Sequence, residues 1–242
     1  MILHLYHDLM NLYGDWANAA VLARELAARG RIAAVHKKSV GDDVDFDAFD
    51  FIYIGSGTER SQRACMRDML RHKGALIEYI EGGGHVLATG NSHELFGRAV
   101  CGAASGGKYE ALGLLDFETI QQDSRVTGDC VCKASFLQDK LIGFINRAGY
   151  GQQGDIYRPF SNELGPGAND KSCAEGIRHR NLLGTYLTGP ILVRNPPLLK
   201  YIADSLAPAG PAGTSVRADD AFFGYQEEAY RRALTELTAR IE

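Results

Sequence analysis

Short apolar runs alternate with helix-patterned segments through the first half of the chain. The runs predict four strands, at residues 2–6, 31–36, 51–54 and 85–89. Apolar residues at three- and four-residue spacing predict helices at residues 15–30, 59–73, 75–81 and about 93–96. A strand that ends in glycine and leads into a helix is typical of a parallel α/β sheet. The first half therefore predicts strand–helix units whose turns share one sheet edge.

The second half is patterned differently. Short strands of antiparallel type are predicted at residues 113–117, 126–134 and 141–146, and a longer strand at 181–187. The stretch at 149–170 is rich in glycine, asparagine and proline and predicts a loop, whereas residues 196–206 predict a helix. Together the two halves predict one α/β domain over residues 1–207, with three layers around a mixed, mostly parallel sheet.

A hinge and a closing helix follow that domain. Residues 208–215 are rich in proline, glycine and alanine, and residues 219–242 predict an amphipathic helix. Its apolar side chains fall on roughly one side: Phe222, Tyr225, Ala229, Leu234, Leu237 and Ile241. Such a helix either packs on its own domain or docks a partner, so both alternatives stay open for residues 208–242.

Composition and charge exclude several classes of protein. Of the 242 residues, 45% are hydrophobic and 23% are charged, which is typical of a globular chain and not of a disordered one. The net charge of -4 argues against sequence-independent nucleic-acid binding. No apolar run approaches the roughly 20 residues that span a bilayer, and the first residues lack the pattern of a secretory signal. We therefore expect a cytoplasmic protein without a membrane span.

The five cysteines are Cys65, Cys101, Cys130, Cys132 and Cys173, and their odd number argues against a disulfide framework. Cys130 and Cys132 fall on one face of a strand, but no second close pair completes a zinc site. We therefore expect packed thiols, with no metal and no cofactor. The alternative is that one cysteine is a nucleophile.

Two sharp turns carry the candidate chemistry. Gly55-Ser56-Gly57 follows the strand at 51–54, and Gly90-Asn91-Ser92 follows the strand at 85–89. A strand–turn–helix junction can expose a nucleophile while neighbouring backbone N–H groups bind an oxyanion. Glycine also occurs in tight turns simply because it tolerates their backbone angles. The turns therefore indicate either an acyl-transfer site or a purely structural role.

Ordered motifs recur along nearly the whole chain. They are Leu12-Tyr13-Gly14-Asp15-Trp16-Ala17-Asn18, Tyr53-Ile54-Gly55-Ser56-Gly57, Gly113-Leu114-Leu115-Asp116, Arg125-Val126-Thr127-Gly128-Asp129, Gly143-Phe144, Glu175-Gly176, Asn181-Leu182-Leu183-Gly184-Thr185-Tyr186-Leu187, Gly189-Pro190-Ile191-Leu192 and Asn195. These motifs resemble the class I glutamine amidotransferase family, in its CobB/CobQ-like branch. The resemblance implies a three-layer, flavodoxin-like fold. It also implies glutamine hydrolysis through a thioester on a cysteine that a histidine activates.

The sequence departs from that family at both catalytic positions. The family's elbow has a pattern like A-I-C-G-G-Y-Q-L-L-G, and the matching residues 88–97 place Gly90 at the cysteine. The family's base lies in a pattern like G-T-Y-L-H-G-P, and residues 184–190 place Thr188 at the histidine. A segment like G-F-E-N-H reads Gly143-Phe144-Ile145-Asn146-Arg147 here. Glycine supplies no nucleophile and threonine no general base, so we expect glutamine hydrolysis to be lost.

The resemblance also implies a pocket around these two positions. The two sharp turns make Gly55, Ser56, Gly57 and Asn91 the candidates for an oxyanion site or pocket lining. The resemblance places Arg125 where the family helps to hold glutamine, although a surface charge at a strand end is the alternative for this residue.

Other residues are weak substitutes for the missing groups. Ser92 and His93 are adjacent, so on a helix they point apart and do not face each other. Cys101 precedes a glycine-rich stretch that could approach the pocket, but no partner histidine accompanies it. His93-Glu94 does not extend into the H-E-x-x-H zinc pattern, because residue 97 is glycine. We expect His179 to be a solvated surface histidine.

Three functional hypotheses follow. The first is a subunit that has lost glutaminase chemistry and binds a Mur-ligase-like synthetase, which the resemblance implies, in the amidation of a cell-wall precursor. The second is an active amidotransferase that supplies ammonia through relocated catalytic groups. The third is a binder of glutamine or another small carboxylate or amide, with Asn91, Ser92, Arg147 and Thr188 lining the old pocket.

Overall fold

The computed structural model describes residues 1–103, 107–152, 156–169, 172–207 and 221–241. The predicted hinge at 208–215 lies outside the described residues. The strands are β1 (Ile2–Leu5), β2 (Val35–Lys38), β3 (Phe51–Ile54), β4 (His85–Thr89), β5 (Ala99–Cys101), β6 (Lys108–Glu110), β7 (Glu118–Ala134), β8 (Leu141–Gln152), β9 (Phe160–Leu164), β10 (Ala174–Glu175), β11 (Ile177–His179), β12 (Leu182–Thr185) and β13 (Leu187–Thr188). The α-helices are α1 (Trp16–Ala28), α2 (Glu59–Met69), α3 (Lys73–Glu81), α4 (Ile191–Arg194), α5 (Pro196–Leu206) and α6 (Ala221–Thr238). Three short 3-10 helices cover Phe46–Ala48, Leu70–His72 and Gly90–Phe96.

The first sheet has the strand order β2–β1–β3–β4–β12–β11. Its neighbouring strands are parallel except for β11, which runs antiparallel to β12. The prediction of a mixed, mostly parallel sheet is therefore confirmed. The predicted second strand begins later than expected, at Val35 instead of residue 31.

Alternating side chains on the strands produce three layers. Successive residues of a strand point to opposite faces, so Phe51 and Tyr53 join the core beneath α1 and α5. Ile52 and Ile54 join the opposite core, which contains Cys65 and Leu76 of α2 and α3. Burial on both faces explains why β3 is apolar at every position.

The second sheet is built around the long hairpin of β7 and β8. The predicted loop at 149–170 is wrong in part, because β8 continues to Gln152 and β9 occupies Phe160–Leu164. Phe160 is almost fully buried, and its packing fixes a strand in a stretch whose composition favours turns. The predicted strand at 113–117 is absent; Gly113 adopts a positive φ of 69°, and the strand begins at Glu118.

The predicted strand at 181–187 is divided between the two sheets. β12 pairs with β4 in the first sheet, whereas β13 pairs with β8 in the second. Tyr186 lies at the crossing and is 2% exposed. This crossing brings the end of β12 against the β7–β8 hairpin.

Helix α6 packs on the domain with a face that overlaps the predicted one only in part, since Leu237 is buried and Phe222 and Leu234 contact the core. Its buried residues are Phe223, Gln226, Tyr230 and Leu237. Tyr225, which the sequence pattern places on the apolar side, is 77% exposed, and Ile241 is 40% exposed. A helix that carries apolar residues on more than one stripe does not reveal by periodicity which stripe meets the core.

The cysteines follow the expectation of packed thiols only in part. Cys65, Cys130 and Cys132 are fully buried, the latter two in one core as their spacing predicts. Cys101 is half-buried, and Cys173 is exposed beside the edge strand β10. None of the helices in the described part of the chain combines the length and apolar character that crossing a bilayer requires.

Asn195 joins the helical layer to the second sheet and gives a test of this architecture. Its side chain accepts a hydrogen bond from Ile142 N (2.7 Å) and donates to Ile142 O and Ile191 O (2.8 Å each). We expect N195A to lower the free energy of unfolding by about 2–4 kcal/mol, because buried backbone groups lose their partners. Urea denaturation measures the change. The exposed Q138A is the control, and an equally small effect in both variants would contradict this role.

Candidate active site

The carboxyl ends of three neighbouring strands meet at one edge of the first sheet. Ile54 of β3 lies opposite Ala88 of β4, and Thr89 of β4 lies opposite Thr185 of β12. The turn at Gly55 and the elbow at Gly90 therefore start side by side. Such an edge is where open α/β sheets bind their ligands.

Gly90 occupies an elbow that has no room for a side chain. Its φ of 61° lies in the left-handed region, which favours glycine. A Cβ built at this position would lie 2.0 Å from Ser56 Oγ and 2.7 Å from Ser56 Cβ. The Ser56 side chain, which also donates to Thr89 O (3.3 Å), thus fills the space that a side chain at residue 90 would need.

Thr188 lies beside the elbow, so the structure brings together the two positions that the sequence matched to cysteine and histidine. Thr188 Cγ2 is 3.4 Å from the Cβ position at Gly90. Its hydroxyl is buried and donates to Phe144 O on β8 (2.8 Å). An aliphatic methyl group therefore faces the elbow, and the polar atom is engaged elsewhere.

The backbone N–H groups of the Gly55–Gly57 turn are already paired with side chains. Ser56 N donates to Asp15 Oδ2 (2.9 Å), and Gly57 N donates to Asn91 Oδ1 (3.0 Å). Asn91 Nδ2 also donates to Gly57 O (2.9 Å), so the Asn91 amide joins the two turns. In this arrangement an oxyanion would have to displace both side-chain acceptors to reach these donors.

Asp15 is a functional-site neighbour that the sequence reasoning did not single out, although it lies within a matched motif. Its carboxyl group is fully buried, and burial raises its pKa. A Cβ at Gly55 would approach Asp15 Cβ to 2.6 Å, so glycine permits this contact. The Tyr53 hydroxyl donates to Asp15 Oδ1 (3.3 Å) and lies 2.7 Å from Thr89 Oγ1. These bonds hold the carboxylate against the turn.

Arg125 lines the same pocket and is held there by a β-bulge. The pairing of β7 and β8 shifts register between Gln121 and Val126, and such a bulge re-aims the side chains that it contains. Arg125 binds Glu59 Oε1 (2.6 Å) and Asn146 Oδ1 (2.6 Å). The cavity between these residues and the elbow measures about 10 Å³, which is room for about one water molecule.

Ser92 and His93 are buried, and neither of them lines that cavity. Ser92 Oγ donates to Ile54 O (3.0 Å) and Thr89 O (2.9 Å). His93 Nδ1 lies 2.8 Å from Gly90 O, and burial lowers the pKa of this histidine to about 3. Ser92 and His93 therefore do not bond to each other. This agrees with the expectation that adjacent residues of a helix point apart.

A buried cluster of charges lies beneath the elbow, and the sequence reasoning missed its acids. Glu94 accepts from Gln62 Nε2 (2.7 Å) and from the Tyr186 hydroxyl (2.8 Å), while Glu175 accepts from Thr185 Oγ1 (2.9 Å). Burial raises the pKa of each acid to about 7. No spacing rule marks them, because Glu94 and Glu175 are linked only in the folded chain, where both accept hydrogen bonds from Tyr186.

Arg147, at the last position of the Gly143–Arg147 segment, extends into this cluster and is 3% exposed. It donates to Gly149 O (2.7 Å) and Gly167 O (2.9 Å), and its guanidinium lies 5.4 Å from the centre of the Tyr186 ring. Its Nε has no hydrogen-bond partner among the described residues. The cluster therefore places buried charges of both signs under the site.

The remaining candidates lie outside the pocket. His179 is half-buried at the surface, and its Nε2 lies 2.8 Å from Glu81 Oε1, so this surface histidine contacts a carboxylate. It packs at the turn between β11 and β12, where Glu81 of α3 is within reach. Cys101 does not line the elbow cavity. Within the described ranges, no three His, Cys, Asp or Glu side chains are grouped to bind a metal ion.

Comparisons with known proteins agree with this geometry. Residues 1–196 match the CobB/CobQ-like glutamine amidotransferase domain. Two similar proteins are GatD subunits of lipid II isoglutaminyl synthase (glutamine-hydrolyzing). The one from Staphylococcus aureus is 32% identical over 208 residues, covering 84% of this chain and 82% of that protein. The one from Streptococcus pneumoniae is 32% identical over 199 residues, covering 81% and 76%.

Solved structures show the same fold at low sequence identity. A crystal structure of a glutamine amidotransferase has a TM-score of 0.56 and 13% identity, covering 86% of this chain and 99% of that chain. A structure of PurLQS from Thermotoga maritima has a TM-score of 0.56 and 12% identity, covering 93% and 97%. The predicted three-layer amidotransferase-like fold is therefore confirmed.

Steric exclusion at the elbow can be measured with alanine. We expect G90A to lower the free energy of unfolding by about 1–3 kcal/mol more than G30A does. Both glycines have a positive φ, but only at Gly90 would the new Cβ meet a neighbouring side chain. In a double-mutant cycle, S56G should recover most of that difference. Chemical denaturation of the four variants gives the values. Equal costs for G90A and G30A, or no coupling with S56G, would contradict the proposed clash.

The raised pKa of Glu94 predicts a pH dependence. Its pKa of about 7 in the folded chain exceeds the ordinary glutamate value of 4.5, so on raising the pH the unfolded chain releases this proton first. The free energy of unfolding therefore falls as the pH rises from about 4.5 to 7. We expect the free energy of unfolding of E94Q, taken relative to that of wild type, to rise by on the order of 2 kcal/mol over this pH range. Denaturation at both pH values measures the difference, with E236Q as an exposed control whose difference should stay constant.

Proposed function

This chain belongs to the CobB/CobQ-like glutamine amidotransferase family, and we propose that it serves there as a subunit without glutaminase activity. In this proposal the chain binds a Mur-ligase-like synthetase of the MurT type, and the complex amidates a cell-wall precursor related to lipid II. The chain contributes a binding scaffold to the complex instead of ammonia.

The occupied elbow is the observation that carries the proposal. Hydrolysis through a thioester needs a thiolate at the elbow and a base within hydrogen-bond reach. Residue 90 has no side chain, and Ser56 Oγ stands 2.0 Å from the position where a Cβ would begin. The elbow therefore lacks a nucleophile, and the Ser56 side chain fills the space that a thiol would need.

The groups around the elbow do not replace the missing base. Thr188 presents its methyl group to the elbow, and its hydroxyl donates to Phe144 O. The His93 imidazole is buried against Gly90 O and Tyr186. A group that is already paired and closed off from the cavity has no route to a substrate proton.

The cysteines also argue against relocated catalysis. Burial raises the pKa of Cys65 and of Cys130 to about 12, and it raises the pKa of Cys132 as well. A buried thiol with a raised pKa is a poor nucleophile, because the thiolate is the reactive form. Neither Cys101 nor Cys173 lines the cavity at the elbow.

The partner is proposed from the relatives. Each of the two relatives is a subunit of a lipid II isoglutaminyl synthase, and each matches more than four fifths of this chain. The family match covers residues 1–196, which include the elbow and the strands around it. A chain that keeps this domain but lacks the nucleophile retains a surface that a partner would bind.

Ammonia release tests the catalytic part of the proposal. We expect purified full-length protein to release no ammonia from glutamine above the uncatalysed rate, alone or with a purified MurT-type synthetase. The S. aureus relative, whose name describes it as glutamine-hydrolyzing, is the positive control. Mass spectrometry after treatment with a glutamine-analogue diazo ketone should detect no covalent adduct.

The nitrogen source of the complex gives a second readout. We expect amidation of a lipid II-type substrate to proceed with ammonium ions and not with glutamine, because the chain offers no thiol at the elbow. Glutamine-dependent ammonia release, or a cysteine adduct that blocks it, would overturn the inactive assignment and favour relocated catalytic groups.

A further inference from the structure

An apolar groove runs along the exposed flank of α6. It is bounded by α4, by Ile142 of β8 and by α6 itself, and it has a volume of about 360 Å³. We call it the α6 groove and define it by Val193, Arg194, Phe222, Tyr225, Ala229 and Ala233. This volume lies within the range of ordinary ligand pockets and is far larger than the cavity at the elbow.

The groove is lined by an apolar stripe of α6 that the core covers only in part, since Phe222 and Ala233 also pack against the domain. Phe222, Tyr225, Ala229 and Ala233 follow one another at the spacing of a helix face. The core takes the neighbouring face, with Phe223 fully covered, whereas Tyr225 is 77% exposed. Tyrosine at the edge of an apolar surface is enriched at protein interfaces, since one end is apolar and the other is polar.

Arg194 brings a positive charge to the groove, and no described residue forms an ion pair that compensates it. The acids on the adjacent part of α6 are already paired, Glu227 with Lys200 (2.6 Å) and Glu228 with Arg232 (2.6 Å). An occupant that complements Arg194 must therefore bring its own carboxylate.

Gln226 adds an unused acceptor beneath the groove. Its Nε2 donates to Leu192 O and to Val193 O, both at 2.9 Å, and two carbonyl acceptors fix the orientation of the amide. Oε1 is then left without a hydrogen-bond partner in the described structure. A buried acceptor without a donor is unfavourable, and an occupant that shifts the groove residues and brings a donor to Oε1 would satisfy it.

The groove shares a wall with the candidate active site. Helix α4, which forms one side, begins three residues after Thr188. Asn195 at its end is bonded to Ile142 of β8, the strand that pairs with Thr188. The short segment from Thr188 to the end of α4 would thus hold an occupant of the groove at a fixed position relative to the elbow.

We propose that the α6 groove binds a segment of the synthetase subunit. The segment presents a large apolar side chain to the space between Val193 and Tyr225, and a carboxylate to Arg194. It also offers an N–H or O–H donor to Gln226. This inference rests on the proposed partnership and names the surface that it uses.

Matched variants of the full-length protein test the groove. A229E places a charge in the apolar wall, and R194E reverses the cation. Their controls are I32E and R31E, because Ile32 and Arg31 are exposed and lie outside the groove. We expect A229E and R194E each to raise the Kd for a purified MurT-type synthetase at least about tenfold, whereas the controls stay within about twofold of wild type. Thermal melting confirms that each variant is folded.

Photo-crosslinking identifies the occupant directly. A photoreactive benzoyl-phenylalanine at position 225 should capture a synthetase peptide that contains an apolar residue and an Asp or Glu, and the same probe at position 32 should not. Capture of a second copy of this chain, or unchanged Kd values for A229E and R194E, overturns the groove as the docking site. If the wild-type chain does not bind the synthetase at all, the proposed partnership itself fails.

Discussion

The close fit between Ser56 and Gly90 is the steric constraint around which the candidate site is organised. Two turns from neighbouring strands approach so closely that one of them must lack a side chain. Asn91 fastens them by pairing with both backbone groups of Gly57, and Thr188 closes the third side with a methyl group. The edge of the sheet that usually opens toward a ligand is here packed almost shut, with space for about one water molecule.

The layer beneath that edge depends on Tyr186, where the chain passes from one sheet to the other. Its hydroxyl donates to Glu94, its backbone N–H donates to Glu175, and its ring lies beside Arg147. Buried ionisable groups rarely add much stability, because desolvation offsets their attraction. Their geometric effect is clearer. Each bond fixes where the chain leaves β12 of the first sheet and enters β13 of the second, and hence where Thr188 lies relative to the elbow.

Much of this arrangement could be predicted from the sequence, and the parts that could not share a physical cause. The runs at 51–54 and 85–89 match β3 and β4, and the proline-led helix at 196–206 matches α5, because burial and local signals agree there. Residues 149–170 look like a loop by composition, yet Phe160 is drawn into a strand by the core. The matched motifs identify Gly90 and Thr188 as altered positions. They do not reveal that Ser56 lies against Gly90 or that Asp15 and Glu94 are buried beside it, since these are contacts between distant parts of the chain.

The contact between Ser56 and Gly90 also limits the evolutionary paths open to this protein. A single change of Gly90 to cysteine introduces a Cβ into space that Ser56 occupies, at a backbone angle that disfavours side chains. A single change of Ser56 to glycine makes room but adds no thiol. A cysteine elbow in this backbone therefore requires both changes together, because the effect of each one depends on the residue in the neighbouring turn.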